Sequence, residues 1–244
     1  MPKFSILTAC FNGAKFLKDC ANSVLSQTVS DWEWIVVDDC STDLSWDILK
    51  QYKDPRIKVF HNNERIFCSS SYRKVLLEAT GELCGVLDAD DGLSKNAIEV
   101  IQGKYKKYPD LTYIYTQHYW CDKNLKPVRK GLSAVPNGSF VEFSLKRSRH
   151  CFSHWRTCRR EIGIKCNMFP PGLKYAVDKY MGFALEETGN GGFLDECLYY
   201  YRYHKENMSL TVPALQKSTW RDVARIFHRK RITQNKKDFK VKKI

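Results

Sequence analysis

The sequence has no apolar run long enough to cross a membrane, because none of its hydrophobic stretches reaches the roughly 20 residues that a spanning helix needs. It also has no CxxC pair. Its ten cysteines are scattered, whereas a small secreted scaffold carries a dense disulfide framework. The N-terminus lacks the small-residue cleavage site of a signal peptide. We therefore expect free, mostly buried thiols and a cytoplasmic protein.

The charge is unevenly distributed along the chain. The formal net charge is +13, and residues 215–244, with eleven Lys or Arg and two Asp, carry +9 of it. Such a basic segment suits a polyanionic neighbour, such as an anionic membrane or glycan, and an ordinary solvated helix explains it equally well. No nucleic-acid-binding motif accompanies it, so we expect no nucleic-acid partner.

Strands and helices alternate over the first ninety residues. Short apolar runs predict buried strands, and apolar residues at spacings of three and four predict helices between them. This pattern indicates an α/β fold with a mixed, mostly parallel sheet flanked by helices. The predicted strands are Phe4–Ala9, Trp34–Val37, Ile57–Phe60 and Leu83–Leu87, with a later one at Cys197–Tyr203 and a turn at Gly189–Gly192 before it.

Polar clusters follow three of these strands directly. They are Ala9–Asn12, Asp38-Asp39 and Asp88–Asp91. Because ligands of parallel α/β sheets bind beyond the carboxyl ends of the strands, the clusters should meet at one edge of the sheet. One carboxylate of Asp38-Asp39 would then accept hydrogen bonds from a ligand, and the other would cap the following helix.

The segment Asp88-Ala89-Asp90-Asp91 places three carboxylates within four residues. Their mutual repulsion is best offset by a divalent cation. Asp88 and Asp90 flank one residue, so a bent strand end can aim both at the same ion. Mg²⁺ or Mn²⁺ held by few carboxylates completes its coordination shell with substrate phosphates. The alternative is a simple turn, and we expect Asp91 to cap the helix after Gly92.

Three segments together resemble family 2 glycosyltransferases of the GT-A fold: SILTACFNGAKFLKDCANSVLSQTVSDWEWIVVDDCSTD, ATGELCGVLDADD and YYYRYHKENMSL. The resemblance implies a GT-A domain over residues 1–210. Its nucleotide-sugar-binding half would span 1–100 and its acceptor-binding half 101–210. A basic amphipathic extension would follow at 211–244. It further implies inverting transfer of a sugar from a nucleotide sugar, with UDP expected, to an acceptor hydroxyl in glycan biosynthesis.

The resemblance also assigns the donor and metal contacts. By this likeness Asp90 ligates Mn²⁺ or Mg²⁺, with Asp88 as a donor contact or second ligand and the histidine after the aromatic segment, His204, beside them. The residues that the likeness places against the nucleotide sugar are Thr8, Ala9, Phe11, Asp39, Arg65 and Asp88.

The catalytic base has to be a carboxylate, because an inverting transfer must remove a proton from the acceptor hydroxyl. In the family this residue usually opens a helix in the C-terminal half. The matching segment here, Lys174–Lys179, contains one acidic residue, Asp178, which we predict to be the base. Asp195 and Glu196 are the alternatives.

The C-terminal segment has Trp220, Val223, Ile226 and Phe227 at helical spacing, interleaved with arginines. This pattern predicts an amphipathic basic helix. It would either lie on the inner face of a membrane that bears a lipid-linked acceptor or pack on the domain.

Two other functions fit parts of the sequence. A metal-dependent nucleotidyltransferase would also combine a parallel sheet with acidic residues. It would need an early glycine-rich phosphate loop, for which Asn12-Gly13-Ala14-Lys15 is too short. A non-enzymatic polyanion-binding protein would use the basic tail alone.

Overall fold

The computed structural model describes residues 3–147, 151–234 and 239–244, and in these residues one mixed sheet is flanked by helices on both faces. The strands are β1 (Phe4–Cys10), β2 (Trp32–Asp38), β3 (Ile57–His61), β4 (Leu83–Val86), β5 (Gly92–Leu93), β6 (Leu111–Cys121), β7 (Pro127–Lys130), β8 (Arg156–Arg159), β9 (Asn190–Arg202) and β10 (Val241–Lys243). The helices are α1 (Leu17–Leu25), α2 (Ser45–Leu49), α3 (Phe67–Glu78), α4 (Ala97–Lys107), α5 (Phe140–Arg147), α6 (Arg160–Lys165), α7 (Val177–Glu186), α8 (Met208–Thr211) and α9 (Pro213–Thr233).

The main path of the sheet runs β3-β2-β1-β4-β8-β6-β9-β10, with β5 beside β9 and β7 beside β6. Strands β3, β2, β1 and β4 are parallel neighbours, as are β6, β9 and β10. Strand β8 lies antiparallel between β4 and β6. The predicted mixed, mostly parallel sheet is confirmed. As a result β1, β2, β4, β6 and β9 all end at the same edge.

The central strands are buried on both faces, which explains why they read as continuous apolar runs. Ile6 and Trp34 belong to a core that also contains residues of α1 and α4. Their neighbours Leu7 and Ile35 point the other way, into a core that contains residues of α3, α5, α7 and α9. The sheet is thus clamped between two helical layers, which fixes the positions of its strand ends.

The predicted turn at Gly189–Gly192 is wrong beyond its first residue, because β9 already begins at Asn190. The glycines there serve a close approach. A Cβ atom on Gly191 would lie 2.2 Å from the ring of Tyr113 on the neighbouring strand. The glycine therefore lets β9 and β6 pair beside a buried tyrosine ring, and the strand is longer than the predicted Cys197–Tyr203.

The C-terminal segment is built into the domain. Helix α9 buries Val223, Ala224 and Phe227 in the core that contains α5 and α7, and β10 extends the sheet beside β9. Ile226 is 63% exposed, so it lies off the predicted apolar face. Residues 235–238 of the tail lie outside the described residues. None of the helices in the described ranges has both the length and the hydropathy to cross a bilayer.

All ten cysteines are free thiols, as expected from their scattered positions. Six are buried and the other four are half-buried. Cys84 and Cys158 face each other across β4 and β8, with their sulfur atoms 3.4 Å apart.

Candidate active site

The three polar clusters predicted from the strand ends do meet at one edge of the sheet. The Asp39 backbone N–H donates to the carbonyl of Cys10 over 2.7 Å, which joins the ends of β2 and β1. The Thr8 hydroxyl donates to the carbonyl of Leu87 over 2.8 Å, which joins β1 to the residue before the acidic cluster. The carboxyl ends of β1, β2 and β4 therefore form one continuous surface.

The carboxylate of Asp88 has two hydrogen-bond partners from distant elements. It accepts a hydrogen bond from the Tyr72 hydroxyl at 2.5 Å and one from the Arg156 guanidinium at 3.3 Å. Burial raises the pKa of Asp88, and the neighbouring carboxylate of Asp90 raises it further, whereas Arg156 and Tyr72 lower it. Asp88 is thus a buried carboxylate whose negative charge Arg156 offsets in part, and a bound cation would offset it further.

Asp90 lies against His204, with 2.9 Å between its Oδ2 atom and the imidazole Nε2 atom. The histidine is held in place from two sides: its backbone N–H donates to the side chain of Asn207 at 2.6 Å, and its ring packs on Phe16 with centroids 4.4 Å apart. The structure therefore brings together two residues, Asp90 and His204, that were assigned to the metal from the sequence.

The predicted role of Asp91 as a helix cap is wrong. Helix α4 begins at Ala97 and has no side-chain cap. Asp91 is 1% exposed and instead accepts hydrogen bonds from the Tyr199 hydroxyl and the Arg202 backbone N–H, both at 2.7 Å. Burial holds its pKa well above the usual range, with Asp90 adding to the effect. Asp91 thus ties the acidic cluster to the end of β9.

Within the described ranges, one group of three potential metal ligands has its atoms within 4.8 Å of one another: Asp88, Asp91 and His154. Asp90 and His204 do not belong to that group. Neither His154 nor Asp91 was predicted as a ligand from the sequence, because His154 reaches the cluster from the loop before β8 and Asp91 resembled a helix cap. Carboxylate oxygens and an imidazole nitrogen suit Mn²⁺, so either arrangement fits the chemistry of a divalent cation.

The two candidate metal sites, Asp90 with His204 and Asp88 with Asp91 and His154, have different surroundings. The Nδ1 atom of His154 lies 2.9 Å from the guanidinium of Arg156, which already brings a positive charge to that side of the cluster. Both oxygens of Asp91 accept hydrogen bonds inside the protein. The Asp90 side chain, which faces the His204 imidazole, is 30% exposed. Charge and access therefore favour Asp90 with His204.

Arg156 is a functional candidate that was not predicted from the sequence. It is buried, and its two terminal nitrogens reach different carboxylates: Asp88 at 3.3 Å and Asp178 at 3.9 Å. The cost of burying a guanidinium is offset by two negatively charged partners. Nothing in the local sequence marks this role, because Asp88 and Asp178 lie 68 and 22 positions away along the chain.

Asp178 lies in the first turn of α7, where the helix dipole favours a negative charge. It also forms a close ion pair with Lys179. The alternative Asp195 pairs with Lys130 at 2.8 Å and Lys243 at 3.2 Å, and these lysines hold its pKa at about 2. Of these two aspartates, Asp178 is the one linked through Arg156 to the acidic cluster.

The two aspartates after β2 have separate surroundings. Asp38 is fully buried and pairs with His61 at 3.0 Å. The Oδ1 atom of Asp39 accepts hydrogen bonds from the Asn62 side chain and the Ile66 backbone N–H, both at 2.9 Å. Asp39 is thereby connected to the loop that carries the predicted donor residue Arg65.

The other predicted donor contacts divide into exposed and buried side chains. The Phe11 ring is 38% exposed, and the Arg65 guanidinium stacks on it at 3.6 Å. Ala9 is half-buried. Thr8 is fully buried, and its hydroxyl also accepts from the indole N–H of Trp34. Its side chain therefore supports the strand end from inside the sheet.

Comparison with known proteins gives this site a context. The profile described as "Glycosyl transferase family 2" matches residues 5–170. The chain is 28% identical over 222 residues to the putative teichuronic acid biosynthesis glycosyltransferase TuaG of Bacillus subtilis, and the match covers 90% of this chain and 86% of that protein. It also matches bacterial hyaluronan and chondroitin synthases, of which it spans 22–31% of the length.

Two kinds of solved structure share the fold. TarS from S. aureus in complex with UDP-GlcNAc superposes with a TM-score of 0.73 at 17% identity, covering 98% of this chain and 68% of that one. The mannosyltransferase PcManGT from Pyrobaculum calidifontis, in complex with GDP-Man and Mn²⁺, gives a TM-score of 0.66 at 13% identity, covering 97% and 66%. At these identities the likeness concerns the fold alone.

Proposed function

The chain belongs to glycosyl transferase family 2, and we propose that it transfers a sugar from a UDP-sugar, with inversion, to a hydroxyl group of a glycan or lipid-linked glycan. The observation that carries this proposal is the paired contact of Asp90 with His204 and of Asp88 with Arg156 at the shared carboxyl edge of the strands. This edge is where ligands of such sheets bind.

The nucleotide would bind over the ends of β1 and β2. Phe11 and Arg65 offer flat surfaces on which a base can stack. Their separation of 3.6 Å leaves no room for a base between them, so a base would stack on the outer face of this pair or displace Arg65 from the Phe11 ring. Asp39, fixed by two hydrogen bonds, would accept from the imide of the base, and the backbone beside Ala9 would line the same surface.

We propose that Mn²⁺ or Mg²⁺ is held by Asp90 and His204, with Asp88 as a further ligand or a donor contact. Such an ion would offset the charge of the donor diphosphate and stabilise it as a leaving group. Burial raises the pKa of Asp88, and the carboxylates of Asp90 and Asp178 raise it further, so a nearby cation would favour its charged form. The mannosyltransferase of the same fold, solved in complex with GDP-Man and Mn²⁺, is consistent with it.

Asp178 would act as the general base. Its carboxylate takes the proton of the acceptor hydroxyl as that oxygen attacks the anomeric carbon, and the bond to the diphosphate breaks on the opposite face of the sugar. Arg156 joins Asp178 to Asp88, so the base is held at a fixed place relative to the donor site. Fixing the reacting groups in this way is a large part of the catalytic effect of an enzyme.

The acceptor is proposed from the relatives as a glycan, since the names of several concern polysaccharide synthesis. A lipid-linked acceptor would place the enzyme at the inner face of a membrane. The exposed arginines of α9 would then provide a peripheral membrane contact.

A thermal-shift and calorimetric screen of UDP-, GDP-, dTDP- and CMP-sugars, each with and without Mn²⁺, tests the proposed function. We expect one UDP-sugar to raise the melting temperature in a metal-dependent manner. A response to none of the donors, or an equal response without metal, would contradict the proposal. Release of pyrophosphate from UTP in the presence of a sugar phosphate would instead indicate nucleotidyl transfer.

A further inference from the structure

Helix α9 packs along α7, the helix that carries Asp178, and contacts it at both ends. Near the start, the Gln216 side-chain oxygen accepts a hydrogen bond from the Ala176 backbone N–H at 2.8 Å. Near the end, Arg231 pairs with Glu186 at 2.8 Å. Between them Phe227 packs on Tyr180, with ring centroids 5.3 Å apart. The matched part of the family profile stops at residue 170, before either helix.

Ala176 is the residue immediately before α7, and its backbone is in the left-handed region with φ of 55°. A residue with a Cβ atom seldom adopts this conformation, and it persists only where the surroundings hold it. Here hydrogen bonds hold Ala176 at both its carbonyl and its N–H group. The carbonyl of Ala176 accepts from the N–H groups of Lys179 and Tyr180 in the first turn, and its own N–H is held by Gln216.

The backbone N–H of Ala176 has no acceptor within α7. Among the described residues, its hydrogen-bond partner is the side chain of Gln216. Ala176 is 2% exposed, so without Gln216 this N–H would be buried and unpaired. The conformation of Ala176 sets the direction in which the first turn of α7 leaves the preceding loop. Asp178 lies two residues later, in that same turn.

We propose that Gln216 is a positioning residue for Asp178: by holding the N–H of Ala176 it fixes the first turn of α7 and so the place of the carboxylate. This inference rests on the proposed role of Asp178 as the general base. It gives the C-terminal helix a part in the reaction through the first turn of α7.

The test compares three variants of the full chain. Gln216→Leu removes the acceptor oxygen, Gln216→Glu keeps an oxygen at the same reach, and Phe227→Leu weakens the α7–α9 packing elsewhere. The readout is UDP release in the presence of Mn²⁺, with water as acceptor, from the UDP-sugar that gives the largest thermal shift. Both kcat and the donor KM are measured.

We expect Gln216→Leu to lower kcat about 10- to 100-fold with the donor KM within about twofold, because a small displacement of a reacting group costs that much. Gln216→Glu and Phe227→Leu should keep kcat within about threefold of the unmodified protein. The proposal is overturned if Gln216→Leu keeps its kcat, if Gln216→Glu loses as much, or if Phe227→Leu loses as much.

Backbone amide exchange over residues 174–181 separates this inference from the proposed function. Exchange should be faster in Gln216→Leu than in the unmodified protein and unchanged in Gln216→Glu, and this result needs no catalysis. Faster exchange in Gln216→Leu, together with an unmodified protein that responds to none of the nucleotide sugars, would remove the proposed function. Unchanged exchange in Gln216→Leu, together with an active unmodified protein, would remove the role of Gln216.

Discussion

His204 and Asp90 are 114 positions apart in the sequence, yet the imidazole Nε2 of His204 lies 2.9 Å from the Asp90 carboxylate. The contact joins the end of β9 to the loop after β4. It depends on Arg202, which donates to the Asp90 carbonyl at 2.6 Å and so brings the two segments together. An imidazole and a carboxylate fixed against each other at the sheet edge form the core of the proposed metal site.

Replacing His204 should weaken metal binding. In His204→Ala we expect the affinity for Mn²⁺, measured by calorimetry in the presence of UDP, to fall by at least about 10- to 100-fold, the loss that already follows when an outer-shell partner of a metal ligand is removed. His228→Ala, which removes a histidine on α9, should bind as the unmodified protein does. Equal affinity in His204→Ala and His228→Ala would contradict the assignment.

Replacing Asp178 should affect chemistry and leave donor binding intact. We expect Asp178→Asn to lower kcat for UDP release by about 10²- to 10⁴-fold, the usual contribution of a general base, with donor affinity within about twofold. Asp195→Asn serves as the control, because Asp195 is paired with Lys130 and Lys243. If Asp195→Asn lost as much activity and Asp178→Asn kept it, the base would be misassigned.

The strand ends were predictable because each buried strand is a continuous apolar run with a polar cluster directly after it, as at Asp38-Asp39 and Asp88–Asp91. The side chains that form hydrogen bonds with those clusters were not predictable. Tyr72 and Arg156 reach Asp88 from α3 and β8, and no local pattern marks either residue. Long-range side-chain contacts depend on how elements pack, which spacing along one element cannot reveal.

Two of the errors in the sequence-based predictions have the same origin. Asp91 resembles a helix cap because an aspartate and a glycine precede a helix. Its two carboxylate oxygens instead accept hydrogen bonds from Tyr199 and Arg202 of β9. Gly191 resembles a turn residue, but its role is to leave room for the ring of Tyr113. In both cases a residue from a distant strand decides the role of a locally ambiguous one.

Glu186 should make stability depend on pH. Burial raises its pKa to about 7, although Arg231 and the Phe140 N–H lower it in part. Because the folded-state pKa lies above the unfolded value, the folded protein binds this proton more tightly. The stabilising contribution is therefore complete below pH of about 4.5 and is lost as the pH rises through about 7.

We expect the free energy of unfolding of the unmodified protein to fall by roughly 2–3 kcal/mol between pH 5 and pH 8 relative to that of Glu186→Gln, at 1.36 kcal/mol per pKa unit. Urea unfolding of both proteins at the two pH values measures the difference. Parallel pH dependence in the two proteins would show that Glu186 does not titrate in this range.

Substitution of the basic face of α9 tests the proposed membrane contact. This face is defined here as Arg221, Arg225 and Arg229. All three are exposed, and each adds about 1 kcal/mol of attraction to an anionic lipid surface. The full chain should sediment with phosphatidylglycerol vesicles at low salt. The triple substitution to Glu should abolish this sedimentation, and phosphatidylcholine vesicles should bind neither protein.

Substitution is the cleaner test of this contact, because deleting the helix would uncover the core side chains that Val223 and Phe227 cover. Equal sedimentation of the unmodified protein and the triple variant, whether strong or negligible, would remove the membrane contact from the account.

The central claim is that the acidic cluster holds the donor through a divalent cation bound at Asp90. It is tested most directly by the Mn²⁺ dependence of UDP release from the best UDP-sugar, measured for the unmodified protein and for Asp90→Asn. The account predicts strong Mn²⁺ stimulation in the unmodified protein and none in the variant, with both proteins unfolding at similar temperatures. Undiminished, Mn²⁺-stimulated UDP release by Asp90→Asn would contradict it.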